Sequence, residues 1–346
     1  MTSASPLCRL LPLEQQQLVD FAKRHYGGTL QTVRLHPLRG GLQAAGVFRV
    51  EAQLRSPGGR LRPAQFVVKR VHSELRREWA VYRTLEAHGA EAIAPRGLDV
   101  IQVGATALLF LEWVRPVCAW PWRDVNAAAQ VLVRLAQLHQ GPWKTGTAEG
   151  LQWAYDHALH QSGQATLETL QRVIREQGAT PWQAAMPMTT RLVAALPEIR
   201  RVLLAASPHA VWIHGDMHPG NVIMRRRAAG VEPVLLDWAR ARPGSALEDV
   251  SAWVQSLGHW EPQARRVHDT LVRLYLVARG LEPVLPPAFR RLYWVAGACN
   301  ALAGALQYHL RTFAQARTPT QQATARLLVQ QWLRVIRRAD ASWRAG

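Results

Sequence analysis

One stretch of the chain limits its possible folds and functions more than any other. Residues 214–221 have the sequence His-Gly-Asp-Met-His-Pro-Gly-Asn, and Leu-Leu-Asp-Trp follows at residues 235–238. Asp216 and Asn221 stand five positions apart, a spacing that places a base and a metal ligand around one phosphoryl group. Asp237 ends a short apolar run and would supply a second metal carboxylate. The stretch predicts an active site for phosphoryl transfer, in which Mg²⁺ neutralises phosphate charge and a carboxylate orients the attacking hydroxyl.

The same stretch leaves a metal-hydrolase interpretation open. His214, Asp216 and His218 alternate along the chain, so on an extended segment all three could face one divalent ion. The Pro-Gly pair at residues 219–220 argues against a long strand, because Pro blocks ladder pairing and Gly weakens it. A plain loop whose polar residues satisfy backbone groups is a third possibility. We favour phosphoryl transfer because the remaining motifs support it.

The motifs at residues 214–221 and 235–238 resemble those of the aminoglycoside phosphotransferase and choline kinase superfamily, whose fold is protein-kinase-like. The resemblance extends to Gly244 and Asp249, although Ala239 stands where many members have Glu. The roles that the resemblance implies are catalytic base for Asp216, brace of the catalytic loop for His214, and Mg²⁺ ligands for Asn221 and Asp237.

Lysine is rare in this chain, which makes Lys69 informative. The chain has 42 Lys and Arg residues, of which three are lysines, and Lys69 ends the β-rich run 65–69. In kinases a strand lysine reaches the α- and β-phosphates and pairs with a glutamate of a helix. Glu78 lies beside the apolar stripe of a helix predicted over residues 73–85, and Glu74, one turn earlier, is the competing partner. We predict that Lys69 and Glu78 pair and bind ATP.

Two further segments are assigned to nucleotide binding by the resemblance. Gly40 and Gly41 lie in a segment that resembles the family's phosphate loop, where glycines let backbone N–H groups approach phosphate. A Gly-Gly pair between two strands is also typical of a plain hairpin turn. The apolar run 107–111 leads to Glu112 and Trp113, which would flank the hinge that holds the adenine by backbone hydrogen bonds.

The order of the predicted elements gives the fold class. A first helix is expected over residues 14–25, followed by short strands around one helix and then mainly helices. We predict an α+β, two-lobed protein-kinase-like fold. Residues 1–112 would form a small, mixed β/α, nucleotide-binding N-lobe, and residues 113–346 a large, mainly helical C-lobe with the catalytic loop and the acceptor site. His139, in a predicted helix, is interpreted as a packed, hydrogen-bonded structural residue.

The amino-acid composition limits the cellular location and the binding partners that we expect for this protein. No stretch approaches the roughly eighteen uninterrupted apolar residues of a membrane span. Cys8, Cys118 and Cys299 are odd in number and far apart, which indicates neither a disulfide framework nor a zinc site and favours a cytoplasmic location. The net charge of +18 reflects a bias toward Arg, and its densest run, 225–227, falls in a predicted solvated turn. Nucleic acid is therefore not expected as a partner.

Together these features predict an ATP- and Mg²⁺-dependent phosphotransferase that moves the γ-phosphoryl group to a hydroxyl of a small molecule. A nucleotide-binding pseudoenzyme or interaction protein is one alternative, and a hydrolase using His214, Asp216 and His218 is the other. After Asp249 the chain has four acidic residues against thirteen arginines. Because a basic cleft repels polycations, we expect neutral or acidic hydroxyl compounds to be better acceptors than aminoglycosides.

Overall fold

The computed structural model describes residues 12–38, 46–72, 77–90, 92–141, 154–206, 208–228 and 230–345. The elements of the first part of the chain are α1 (Pro12–Tyr26), β1 (Thr29–Leu38), β2 (Gly46–Arg55), β3 (Leu61–His72), α2 (Arg77–Ala87), β4 (Gly97–Val103), β5 (Thr106–Glu112), α3 (Val125–Gln140), α4 (Tyr155–Glu176) and α5 (Met186–Ala205). The remaining elements are β6 (Ala210–Ile213), β7 (Val222–Arg227), β8 (Gly230–Leu235), β9 (Arg242–Ser245), α6 (Ala246–Trp260), α7 (Pro262–Arg266), α8 (His268–Ala278), α9 (Pro287–Asn300), α10 (Leu306–Ala314) and α11 (Pro319–Arg344).

The described residues form two compact units. The first unit comprises those up to Val117 together with Ile223–Arg240. The second unit comprises the described residues of Cys118–Thr147, Gln152–Val222 and Ala241–Gly346. The predicted boundary after residue 112 stays a prediction, and the grouping of Ile223–Arg240 with the first unit was not indicated by the sequence.

A five-stranded antiparallel sheet, in the order β1-β2-β3-β5-β4, is the centre of the first unit. On β2, Val50, Ala52 and Leu54 are buried at alternate positions, because successive strand side chains point to opposite faces. Helix α1, which confirms the first predicted helix, covers this apolar face. The ring of Phe21 stacks on that of Phe110 with centroids 4.0 Å apart.

The β7–β8 hairpin belongs largely to the first unit. The Val117 N–H donates to the Met224 carbonyl at 2.8 Å, and the Leu235 N–H donates to the Ile93 carbonyl at 2.7 Å. These two bonds attach both strands of the hairpin to the rest of this unit.

The prediction of a solvated turn at residues 225–227 was wrong, because all three residues lie on β7 and the Arg225 side chain is buried. This side chain lies on β7, is 8% exposed, and donates from Nη2 to Glu232 Oε1 at 2.7 Å. The cross-strand carboxylate compensates the buried guanidinium, an arrangement that residue type alone does not reveal. Arg226 and Arg227 are exposed, as expected.

The second unit is mainly helical, with a two-stranded sheet of β6 and β9. Trp253 of α6 is fully buried in it and donates its indole N–H to the Ala128 carbonyl at 3.2 Å. A sheet-based unit and a larger helical unit confirm the predicted α+β class. In the part of the chain that the structure describes, no helix has both the length and the apolar character that crossing a membrane requires.

Candidate active site

Lys69, Glu78 and Asp237 form one cluster inside the first unit. Lys69 Nζ lies 2.8 Å from Glu78 Oε2, 3.0 Å from Glu78 Oε1 and 2.8 Å from Asp237 Oδ1. Lys69 is held by β3 between Val47 of β2 and Leu109 of β5, while Glu78 lies in the first turn of α2. The expected Lys69–Glu78 pair is therefore formed, and Asp237 joins it as a second carboxylate.

The charges of this cluster set its electrostatics. Burial acts to lower the pKa of Lys69, but the neighbouring charges of Glu78 and Asp237 outweigh burial and raise that pKa above its ordinary value. Lys69 is therefore a cation throughout the physiological range. Burial raises the pKa of Glu78, and the Lys69 charge opposes this rise. A buried cation with two carboxylates can hold one of them and still attract phosphate oxygens.

Asp237 adopts an unusual backbone conformation. Its φ of 62° is the only positive φ at a non-glycine residue among the residues that the structure describes. Such a conformation costs free energy and persists only where the surroundings enforce it. Trp238, which is fully buried, fixes the adjoining turn by donating its indole N–H to the Leu235 carbonyl at 3.0 Å. Asp237 thus carries its carboxylate on a strained backbone, and the Trp238 indole anchors the turn beside it.

Asp216 and Asn221 form a second cluster, inside the second unit. Asn221 Nδ2 donates to the Asp216 carbonyl at 2.9 Å and lies 3.4 Å from Asp216 Oδ2. Asn221 ends a 3₁₀ turn over Pro219–Asn221 that precedes β7. Because its amide nitrogen is used by the loop, its carbonyl oxygen is the atom that Asn221 can offer to a metal. The short spacing seen in the sequence thus becomes direct contact.

Asp249 holds the backbone of the same loop. Its Oδ2 accepts the His214 N–H at 2.7 Å and its Oδ1 accepts the Gly215 N–H at 2.8 Å. Gly215 has a φ of 80°, which glycine adopts without the strain other residues incur. Sequence reasoning gave Asp249 no role. The Ser245-x-x-Glu248 capping box, which is formed in the structure, was the signal that could have placed Asp249 in the first turn of α6.

Gly244 allows β9 to approach β6, the strand that leads into this loop. A Cβ on Gly244 would lie 2.5 Å from Ile213 Cδ1 and 3.0 Å from Glu248 Oε1. Any larger residue would clash with the side chains of Ile213 and Glu248 unless these shift, and His214 follows Ile213 directly. The glycine that resembles the family motif is therefore required by close packing.

The histidines of the loop serve the backbone. His214 is fully buried, and its Nδ1 accepts the Asp216 N–H at 3.3 Å. His218 Nδ1 accepts the Gly220 N–H at 3.1 Å. Within the described ranges, no group of three or more His, Cys, Asp or Glu side chains could hold a metal ion. The structure therefore does not support a hydrolase site of His214, Asp216 and His218.

Glu112 is the last residue of β5 and Trp113 follows it, and both side chains have partners in the first unit. The Glu112 N–H donates to the Arg96 carbonyl at 2.9 Å, and Glu112 Oε2 accepts the Arg96 N–H at 3.1 Å. The Arg49 guanidinium lies 5.1 Å from the centroid of the Trp113 ring. The Glu112 N–H is thus already used, so a base held here would need other backbone groups. The predictions for Gly40, Gly41 and Glu74 lie outside the described residues.

The model of the phosphotransferase enzyme family matches residues 34–286, which is well over half of the chain. The chain belongs to the phosphotransferase enzyme family. The matched range contains both clusters and ends before α9, so the three last helices lie beyond it.

Solved structures with the same fold include three kinases or phosphotransferases. An aminoglycoside phosphotransferase from Alicyclobacillus acidocaldarius is 16% identical, with 99% of this chain and 97% of that chain covered and a TM-score of 0.56. An amicoumacin kinase in complex with AMP-PNP and Ca²⁺ is 14% identical, with 93% of each chain covered and a TM-score of 0.58. A choline kinase from Cryptosporidium parvum is 8% identical, with 96% and 97% covered and a TM-score of 0.59.

These likenesses confirm the predicted protein-kinase-like fold. No curated protein sequence matches this chain. Family membership confirms that the protein is an enzyme, a kinase-type phosphotransferase. The recognition of the aminoglycoside phosphotransferase and choline kinase superfamily is likewise confirmed.

Proposed function

We propose that this phosphotransferase moves the γ-phosphoryl group of ATP to a hydroxyl group of a small molecule, with Mg²⁺ as the required metal. The observation that carries the proposal is Asp237, a carboxylate kept at a φ of 62° and placed 2.8 Å from Lys69. A strained acidic residue beside a buried cation is typical of sites where the strain serves function. The pair offers one positive and one negative group to a metal–phosphate complex.

The groups for nucleotide binding are Lys69, Asp237 and Asn221. Lys69 would bind phosphate oxygens, with Glu78 fixing its position. Asp237 offers a carboxylate oxygen and Asn221 an amide oxygen, and each is a ligand type that Mg²⁺ prefers. Bound Mg²⁺ would neutralise charge on the phosphates. The amicoumacin kinase of the same fold, solved with AMP-PNP and Ca²⁺, supports a nucleotide with a divalent cation.

Asp216 is proposed as the base that orients the acceptor hydroxyl and takes its proton. Asn221 Nδ2, which donates to the Asp216 backbone carbonyl, and Asp249, which accepts the His214 and Gly215 N–H groups, fix the backbone that carries this carboxylate. Positioning of this kind is the main contribution of the protein to phosphoryl transfer, because the reaction requires little covalent help.

The acceptor is proposed to be neutral or acidic. Of the four acidic residues after Asp249, three already have partners: Glu261 with Trp120 at 2.5 Å, Asp269 with Arg290 at 2.8 Å and Asp340 with Arg191 at 2.8 Å. Because the Trp120 indole is neutral, the two arginine pairs leave a polycation at most two carboxylates without a compensating charge after Asp249, those of Glu261 and Glu282. The related folds include enzymes named for cationic acceptors, so steady-state kinetics with kanamycin, choline, neutral sugars and hydroxy acids tests this proposal. A micromolar KM with efficient turnover for any aminoglycoside would refute it.

A cytoplasmic location and the expectation that nucleic acid is not a partner stay predictions from the sequence. The cysteine usage supports the first, and the compositional bias toward Arg supports the second. Fractionation of the host cell and a gel-shift assay with RNA and DNA at physiological salt would test them.

A thermal-shift experiment with nucleotides, with and without Mg²⁺, tests the proposed chemistry. A phosphotransferase should gain melting temperature with Mg·ATP and release ADP when an acceptor is added. A pseudoenzyme would gain melting temperature without ADP release, and a hydrolase would respond to metal without nucleotide. Either of these two results would overturn the proposal.

A further inference from the structure

A chain of hydrogen bonds links α8 to the catalytic loop within the second unit. Arg279 Nη1 lies 2.9 Å from the Tyr275 hydroxyl oxygen, which lies 2.8 Å from His139 Nδ1. His139 Nε2 lies 3.1 Å from Asp249 Oδ2, the atom that also accepts the His214 N–H. Tyr275, His139 and Asp249 are buried, so water does not compete for these bonds.

The chemistry of the two ends fixes the direction of the two outer hydrogen bonds, and the neutral His139 ring fixes the direction of the middle one. Arg279 has only donors, so the Tyr275 oxygen must accept its bond. An ionised Asp249 has only acceptors, so His139 must donate to it from Nε2. Burial lowers the pKa of His139 and keeps the ring neutral, which leaves Nδ1 without a proton and ready to accept the Tyr275 hydroxyl. This series of hydrogen bonds therefore selects the His139 tautomer that carries its proton on Nε2.

The same arginine also reaches the start of β6. Arg279 Nη2 donates to the Pro208 carbonyl at 3.1 Å, two residues before β6 begins at Ala210. The other end of β6 leads into His214 and Gly215, which Asp249 holds. Tyr275 of α8 and Arg279, which follows α8 directly, are thus linked by hydrogen bonds to the segments before and after β6, the short strand that leads into the loop.

We propose that Tyr275 and Arg279 are positioning residues for phosphoryl transfer, acting through His139 and Asp249 on the backbone of His214 and Gly215. The inference rests on the proposed role of this loop in catalysis. Neither residue touches the reacting groups, so each acts on turnover by holding the loop in one conformation.

Amide hydrogen exchange of the full-length protein tests the structural part of the proposal. Tyr275→Phe keeps the ring and removes the hydroxyl, so exchange of the His214 and Gly215 amides should become about tenfold faster or more. Tyr293→Phe is the matched control, because Tyr293 is also buried but its hydroxyl lies 2.8 Å from His268 Nε2, outside this series of hydrogen bonds. Equal protection of the loop in both variants would overturn the proposal.

Turnover tests the functional part. With Mg·ATP and water as the acceptor, Tyr275→Phe should lower kcat for ADP release about tenfold and leave the KM for ATP within about twofold, while Tyr293→Phe changes neither. His139→Gln, which can donate an amide N–H to Asp249, should retain more turnover than His139→Leu. Unchanged kcat in Tyr275→Phe would refute the positioning role. If the wild-type protein releases no ADP with any acceptor, the proposed function fails. The hydrogen-exchange result then still decides whether this series of hydrogen bonds holds the loop.

Discussion

The two carboxylate clusters are held in place by different forces. In the first unit, Asp237 and Glu78 are fixed by the charge of one buried cation, Lys69. In the second unit, Asp216 lies on a loop fixed by backbone N–H groups that donate to the buried Asp249. One cluster depends on charge balance and the other on hydrogen-bond geometry.

We propose that this difference corresponds to a division of tasks between the clusters, in which Asn221 is the one member of the second cluster that also serves the metal. A cluster with a cation and carboxylates suits phosphate and metal, whose charges enter and leave with the nucleotide. A loop clamped through its backbone suits a base that must meet a hydroxyl at one position, because a displacement of about 1 Å can cost 10²-fold in rate. We therefore expect variants of the two clusters to fail in different ways.

The largest effect is expected for Asp216→Asn. Loss of the base should lower ADP release about 10²-fold or more and leave Mg·ATP binding close to that of the wild type, because Asp216 serves the acceptor. Steady-state kinetics and thermal shift measure the two quantities on the same sample. Asp99→Asn is the control for loss of an acidic residue, because Asp99 lies on β4 and pairs with Arg24 of α1. Full activity of Asp216→Asn would contradict the assignment.

Lys69→Met should lower stability more than any single change in the catalytic loop. The variant leaves Glu78 and Asp237 without their cation, and breaking a buried ion pair in this way costs about 2–3 kcal/mol here, since Asp237 is 26% exposed. Urea denaturation with a fixed m-value measures the free energy of unfolding. Lys69→Arg, which keeps the charge, is the control and should lose less. Equal stability of Lys69→Met and the wild type would break the contrast between the clusters.

Protonation of His209 at acid pH should lower the stability of the second unit. Burial, followed by the charge of Arg279, lowers the pKa of His209 from 6.5 to about 4. The folded form therefore disfavours the proton, and the contribution of His209 to stability is present above pH 6.5 and is lost as pH falls toward 4. Between pH 7 and 4.5 this loss amounts to about 2 kcal/mol. His209→Asn should flatten the dependence of unfolding free energy on pH, and an unchanged slope would contradict this cause.

The smallest effect is expected for Gly244→Ala. The new methyl would meet Ile213 at 2.5 Å and should cost about 1–2 kcal/mol, with a lower kcat because His214 moves with β6. Gly258→Ala is the control, because its nearest neighbour is Arg265 Cβ at an ordinary 3.5 Å. A Gly244→Ala variant with wild-type stability and kcat would show that β6 can shift without harm to the loop.

The parts of the site that were predictable are those in which residue type and short spacing carry the information. The contact of Asn221 with Asp216 and that of Glu78 with Lys69 follow from separations of five and nine residues within recognisable elements. The strained φ of Asp237 and the burial of Arg225 depend on partners set by tertiary packing, which the local sequence does not encode. The clamp by Asp249 spans 35 residues, and although the family resemblance and the capping box at Ser245 both pointed to this segment, neither revealed that Asp249 binds the backbone of the loop.

The most direct test of the proposed chemistry is calorimetric titration with AMP-PNP, with and without Mg²⁺, of the wild type and Asp237→Ala. In the wild type, Mg²⁺ should raise the affinity for AMP-PNP about tenfold or more, because Asp237 is proposed to bind the metal that bridges to the phosphates. Asp237→Ala should lose this gain, and Asp216→Asn should keep it. A gain from Mg²⁺ in Asp237→Ala equal to that of the wild type would contradict the assignment of Asp237 and the division of tasks between the two clusters.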